Sequence, residues 1–118
     1  MKLGYIIGPY RAKTPWEVEQ NVRNAEQLGF AVLNLGAFPI IPHANSRFFD
    51  KLGTEAFWLE GTRTLMERVA DFVITVEALD LPWLHSEGSI DEVERATRMS
   101  KPVFHSLTDL GKWLASNQ

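Results

Sequence analysis

Glu92 lies four residues after Gly88 in the run Ser86-Glu87-Gly88-Ser89-Ile90-Asp91-Glu92. Small residues at a strand-to-helix junction leave backbone N–H groups free to face an anion. A carboxylate about one helical turn further on would stand beside that cradle. Together they point to chemistry on a phosphorylated small molecule. Other residues bear on that chemistry. Arg11, just after Gly8-Pro9-Tyr10, can clamp a phosphate with two N–H groups. His43 can bind a base or a phosphate, or carry a proton. Tyr5, inside an apolar run, reads from the residues alone as a core side chain. Trp83, near the cradle, is a candidate for stacking on a base, while Trp16 and Trp58 read as helix packing.

The elements that must position these residues alternate in type. Residues 2–7 read as a buried strand ending at Gly8-Pro9. Thr14-Pro15-Trp16-Glu17 is a capping box with proline at the first helical position. The helix it opens carries Val18, Val22, Ala25, Leu28 and Val32 at helical spacing and should stop at Gly36. A second strand covers 37–41, an imperfect one because of Pro39, and 42–47 is expected to be loop. Trp58, Thr62, Leu65, Met66 and Val69 predict one face of a second helix. The unbroken apolar run 70–76 predicts a strand covered on both faces. A long loop, 77–88, precedes a third helix over 89–99. Its apolar stripe is Ile90, Val93, Ala96 and Thr97, with Glu92 on the flank and Asp91 and Glu94 as ordinary first-turn acids. Residues 101–105 predict a fourth strand, followed by a short helix after Ser106.

Strands alternating with helices imply a parallel sheet of four to five strands with helices on both faces. Ligands of such sheets bind beyond the carboxyl ends of the strands. That rule selects 8–14, 42–53 and 77–88, where most of the candidate residues fall. The first of these loops lacks both the G-x-G-x-x-G dinucleotide fingerprint and the Walker lysine.

At 118 residues the chain is read as one domain, long enough to bury a core without staples. It has no cysteine, which rules out disulfides and thiolate chemistry and suits a reducing cytoplasm. A net charge of −3 argues against a nucleic-acid partner. No apolar run reaches the ~18 residues of a membrane span, and the start Met1-Lys2-Leu3-Gly4-Tyr5 has no signal-peptide core. No histidine or carboxylate cluster calls for a metal.

The ordered set Tyr5-Ile6-Ile7-Gly8-Pro9-Tyr10-Arg11, Ala70-Asp71, Ser86-x-Gly88-x-x-x-Glu92 and Lys101-Pro102-Val103 resembles the nucleoside 2-deoxyribosyltransferase superfamily. It lies nearer the branch of deoxynucleoside 5′-monophosphate N-glycosidases. The resemblance implies a flavodoxin-like, doubly wound α/β sheet over residues 1–118. It implies Glu92 as a nucleophile on the anomeric carbon, with Tyr5 beside it, and a glycosyl-enzyme resolved by water or a second base. It places Arg11 and Ser86 on the 5′-phosphate. Gly8, His43 and Gly88, in or beside the loops that the strand-end rule selects, complete the expected substrate contacts. The nucleoside transferases carry aspartate where Ser86 stands, and a serine can donate to a phosphate that an aspartate would repel. A nucleotide is therefore expected over a free nucleoside. No cofactor is expected. A homodimer or larger assembly is, with Phe48, Phe49, Phe57 and Trp58 fit for an interface or for core packing. The chain departs from the family pattern at Arg63, where an acid contacts the base or its proton. Glu60, Glu77 or Asp80 are the possible substitutes. A non-catalytic nucleotide-binding protein on the same fold is the alternative.

Overall fold

The computed structural model describes residues 1–80 and 87–117, with backbone alone at 87–89. Nine elements follow one another. They are β1 (Leu3–Ile7), α1 (Pro15–Asn34), β2 (Phe38–Ile40), α2 (Pro42–Ser46), α3 (Glu55–Val69), β3 (Phe72–Thr75), α4 (Glu87–Arg98), β4 (Val103–Phe104) and α5 (Leu107–Ser116). Short 3₁₀ turns cover Asp50–Leu52 and Val76–Leu79.

The starts of α1, α3 and α5 are fixed by hydroxyl caps, which satisfy N–H groups that have no helical partner. Thr14 Oγ1 accepts from the Glu17 N–H at 3.2 Å, as the capping box predicts. Thr54 does the same for Phe57 at 3.1 Å, and Ser106 for Asp109 at 3.1 Å. Past the end of α1, Gly36 has a φ of 92°, a conformation that costs a residue without Cβ nothing.

The four strands are parallel in the order β2-β1-β3-β4. This is the flavodoxin-like α/β arrangement, with helices on both faces. The step from β1 to β2 runs one way across the sheet, and the steps to β3 and β4 run the other way. Right-handed crossovers must therefore put α1 on one face and α3 and α4 on the other. Two separate cores agree. Ile6, Phe72 and Ile74 pack with Leu28 and Val32 of α1 and Leu110 and Leu114 of α5. Tyr5, Ile7 and Val73 pack with Met66 of α3 and Ala96 of α4. All four residues of β3 are buried, as the unbroken apolar run requires.

Three expectations need correction. Residues 42–46 form a short helix, not a loop, because Pro42 presets the backbone at the first helical position. The inward face of α3 keeps Trp58, Thr62 and Met66 of the predicted stripe, but Leu65 and Val69 are exposed and Leu59 and Arg63 border a cleft in their place. In α4, Val93 and Ala96 pack inward as the stripe predicts, but Ile90 is 57% exposed and Thr97 is exposed too. Beside these inward residues, the polar Arg63 and Glu92 border the cleft.

Candidate functional site

The carboxyl ends of β1 and β2 open into a cleft of roughly 400 Å³, a volume suited to one small ligand. Its walls come from the Gly8–Arg11 loop, α2 and the turn after it, α3, and the first turns of α4. The switch point of the sheet lies between β1 and β3, where connections leave to opposite faces. A crevice is expected there in any doubly wound sheet.

Tyr5 and Glu92 meet at the floor. Alternation along β1 turns Tyr5 toward α3 and α4, and its side chain is wholly buried. The phenol oxygen has no hydrogen-bond partner among the described residues, although the Glu92 carboxylate and the Thr62 hydroxyl stand close enough to affect its ionisation. Burial first, and then the charge of Glu92, push the phenol well above its ordinary range. The carboxyl of Glu92 is itself raised from 4.5 to about 7. Burial is the main cause and Asp91 adds to it, while the Tyr5 phenol and the Arg63 guanidinium pull the other way. A carboxyl poised near neutrality in a cleft can act as a nucleophile when ionised or as an acid when protonated.

Arg63 occupies the place where the family resemblance expects an acid. Its guanidinium pairs with Asp91 across α3 and α4. One turn further along both helices the signs reverse, and Arg95 of α4 reaches Glu67 of α3 at 2.7 Å. This ladder ties the two helices together and holds Glu92 over the floor. None of the possible substitute acids borders the cleft. Glu60 is exposed, Asp80 is exposed with a left-handed backbone, and Glu77 lies 3.5 Å from His105.

Gly8 ends β1. A Cβ there would lie 2.6 Å from Val76 Cγ1, so the position admits no side chain without displacing the Val76 side chain. Its carbonyl accepts from Nε2 of His43 at 2.9 Å. His43 is 5% exposed, and burial pushes its imidazole below the usual range. Arg11 stands at the rim, 3.1 Å from the Glu55 carboxylate, with both side chains largely in solvent. Gly88 falls in the first turn of α4. Ser86, Trp83 and His85 lie outside the described residues.

The structure therefore brings Tyr5, Gly8, Arg11, His43 and Glu92 around one cleft. Sequence reasoning missed Tyr10, Asp50, Glu55, Trp58 and Thr62, which line it too. Trp58 was read as packing because it lies in a helix. It does pack, edge-to-face on Phe57 and tilted against Phe49, and it also supplies an aromatic wall of the cleft. Asp91 was read as a first-turn acid and proves to be the partner of Arg63. Phe48 and Phe57 are 86% and 62% exposed, so they are not core residues. Asp71 and Lys101, part of the ordered set, are structural: the Asp71 carboxylate accepts from the Leu3 N–H at 2.8 Å, and Lys101 Nζ donates to the Ala70 carbonyl at 2.6 Å.

Among the described residues, no three His, Asp or Glu side chains are grouped to hold a metal ion. No helix among them is long and apolar enough to cross a membrane. Fold and site define an α/β protein with a carboxylate–phenol pair at the floor of a strand-end cleft. Comparison with protein-family models, curated proteins and solved structures finds no match for this chain.

Proposed function

We propose that this protein breaks or transfers the N-glycosidic bond of a (deoxy)nucleoside 5′-monophosphate through Glu92. The observation that carries this reading is the half-buried Glu92 carboxyl, raised to about 7, beside the buried and otherwise unpartnered Tyr5 phenol. A carboxylate with little hydration is a stronger nucleophile, and a phenol beside it can donate to one oxygen and aim the other. In the reaction, a Glu92 oxygen bonds to the anomeric carbon while the base departs with the electrons of the N-glycosidic bond. Water, or a second base, then attacks the same carbon and restores the carboxylate. Glu55 and Asp91 are neutralised by Arg11 and Arg63, so the positive charge that develops on the sugar faces Glu92 and Asp50, the other carboxylate at the cleft. Trp58 offers a flat surface for the base, and Arg11 at the rim offers the phosphate contact.

A second reading, a nucleotide-binding protein without turnover, is favoured by one observation. Arg63, already paired with Asp91, cannot protonate a leaving base as a carboxylic acid would. A panel of nucleoside 5′-monophosphates, assayed by chromatography for released base, separates the two. Base release from at least one nucleotide, abolished in Glu92→Ala, supports the enzyme. Binding with no release supports the second reading, and undiminished release by Glu92→Ala refutes Glu92 as nucleophile.

A further inference from the structure

The two ring nitrogens of His43 have different surroundings. Nε2 lies 2.9 Å from the Gly8 carbonyl, which can only accept, so Nε2 carries the hydrogen and donates it. Close packing of Gly8 on Val76 fixes where that carbonyl lies. Burial disfavours the imidazolium, against the smaller pull of the Gly8 and Pro9 carbonyls. The neutral ring then keeps a lone pair on Nδ1. That atom is buried and has no partner among the described residues, and the ring it belongs to lines the cleft. Native proteins rarely leave such an acceptor without a partner.

We propose that His43 Nδ1 is an acceptor reserved for an O–H or N–H group of the ligand, and that it selects ligands bearing a donor at that point. A phosphate or keto oxygen is rejected there, because lone pair would face lone pair. The phosphate must therefore lie elsewhere, toward Arg11. The donor is either a sugar hydroxyl or an N–H of the base. The choice of probes rests on the nucleotide reading above; the assignment of the tautomer does not.

The nitrogen spectrum of histidine-labelled protein tests it. The expected state without ligand is the Nε2–H tautomer with a bare Nδ1. Saturating 2′-deoxyadenosine or 2′-deoxyuridine 5′-monophosphate should move the Nδ1 resonance. Loss of that movement with the 2′,3′-dideoxy counterpart assigns the donor to the sugar, and loss with 2-deoxyribose 5-phosphate assigns it to the base. His43→Phe should weaken binding about 10-fold for ligands with the donor, and far less for those without it. An Nδ1–H tautomer, an imidazolium, an unmoved resonance in a bound state, or equal weakening of every ligand overturns the proposal. Movement of Nδ1 without base release overturns turnover and leaves the His43 assignment standing. Base release with Nδ1 unmoved does the reverse, and failure of every probe to bind overturns both.

Discussion

The two faces of the sheet are built for different ends. On the α1 and α5 face, Ile6, Phe72, Ile74 and Leu110 make an apolar layer, closed at its edge by Phe104 and Trp113 around Phe72. On the α3 and α4 face, the matching layer holds a phenol, and Thr62, Arg63 and Glu92 border its carboxyl end. Neighbouring residues of one strand serve both: Ile6 turns to the first layer, and Tyr5 and Ile7 to the second. One face contributes stability through packing. The other gives some up, because it keeps a buried carboxyl and a phenol oxygen without a partner.

The comparison makes an aromatic substitution on each face differ in size and sign. Phe72→Ala, in the packing face, should lose about 3–5 kcal/mol of stability in denaturant unfolding. Tyr5→Phe, in the other face, removes only the unpartnered hydroxyl, so stability should hold or rise by up to ~1 kcal/mol. Its turnover should nevertheless fall, as measured by base release. A Tyr5→Phe variant as unstable as Phe72→Ala would show that the phenol is a structural group and break the contrast.

The carboxyl of Glu92 sharpens it through pH. Its folded pKa of about 7 lies above the ordinary 4.5, so the folded state binds the proton more tightly than the unfolded one. Stability contributed by this group is then present at low pH and is lost as pH rises from about 4.5 to about 7. Glu92→Gln should therefore melt higher than the wild type at pH 8, with the gap closing by pH 5. If ionised Glu92 is the nucleophile, kcat/KM rises through an acid limb near 7. Arg63→Gln should move that limb up and Asp91→Asn should move it down, since these two charges act on Glu92 in opposite senses. Limbs unmoved in both variants would separate the α3–α4 ion pair from the chemistry.

The smallest effect belongs to the rim. Arg11 and Glu55 are both exposed, and exposed ion pairs are worth little. Glu55→Gln frees the guanidinium for a phosphate and should tighten a 5′-monophosphate a few-fold, with no change for its nucleoside. Calorimetry on the matched pair reads this. Equal tightening of both ligands would remove Arg11 as the phosphate contact.

The fold was legible because local signals agreed. Thr14-Pro15-Trp16-Glu17 set the start of α1, Gly36 its end, and the run 70–76 a central strand. The site was legible only in part. Helical periodicity assumes that inward means apolar, so it turned α3 toward Leu65 and Val69 and kept Glu92 on a flank. A polar cleft breaks that assumption: Arg63 and Glu92 border it, while Met66, Val93 and Ala96 still pack inward. Asp50 fell in the strand-end loop 42–53 but no residue-level signal marked it, and Trp58 and Glu55 lay outside every selected loop, since their shared purpose exists only where α3 and the turn before it meet the end of β1.

The sequence by itself determined the order of strands and helices, the caps that begin them, and the residue types available for chemistry. These depend on neighbours within a few residues. Tertiary structure alone decided that Glu92 would lose its hydration beside Tyr5, that Arg63 would pair with Asp91, and that the Gly8 carbonyl would settle which nitrogen of His43 keeps its lone pair. Burial, charge and tautomer depend on groups 28 to 87 residues apart along the chain, and only packing brings them within reach.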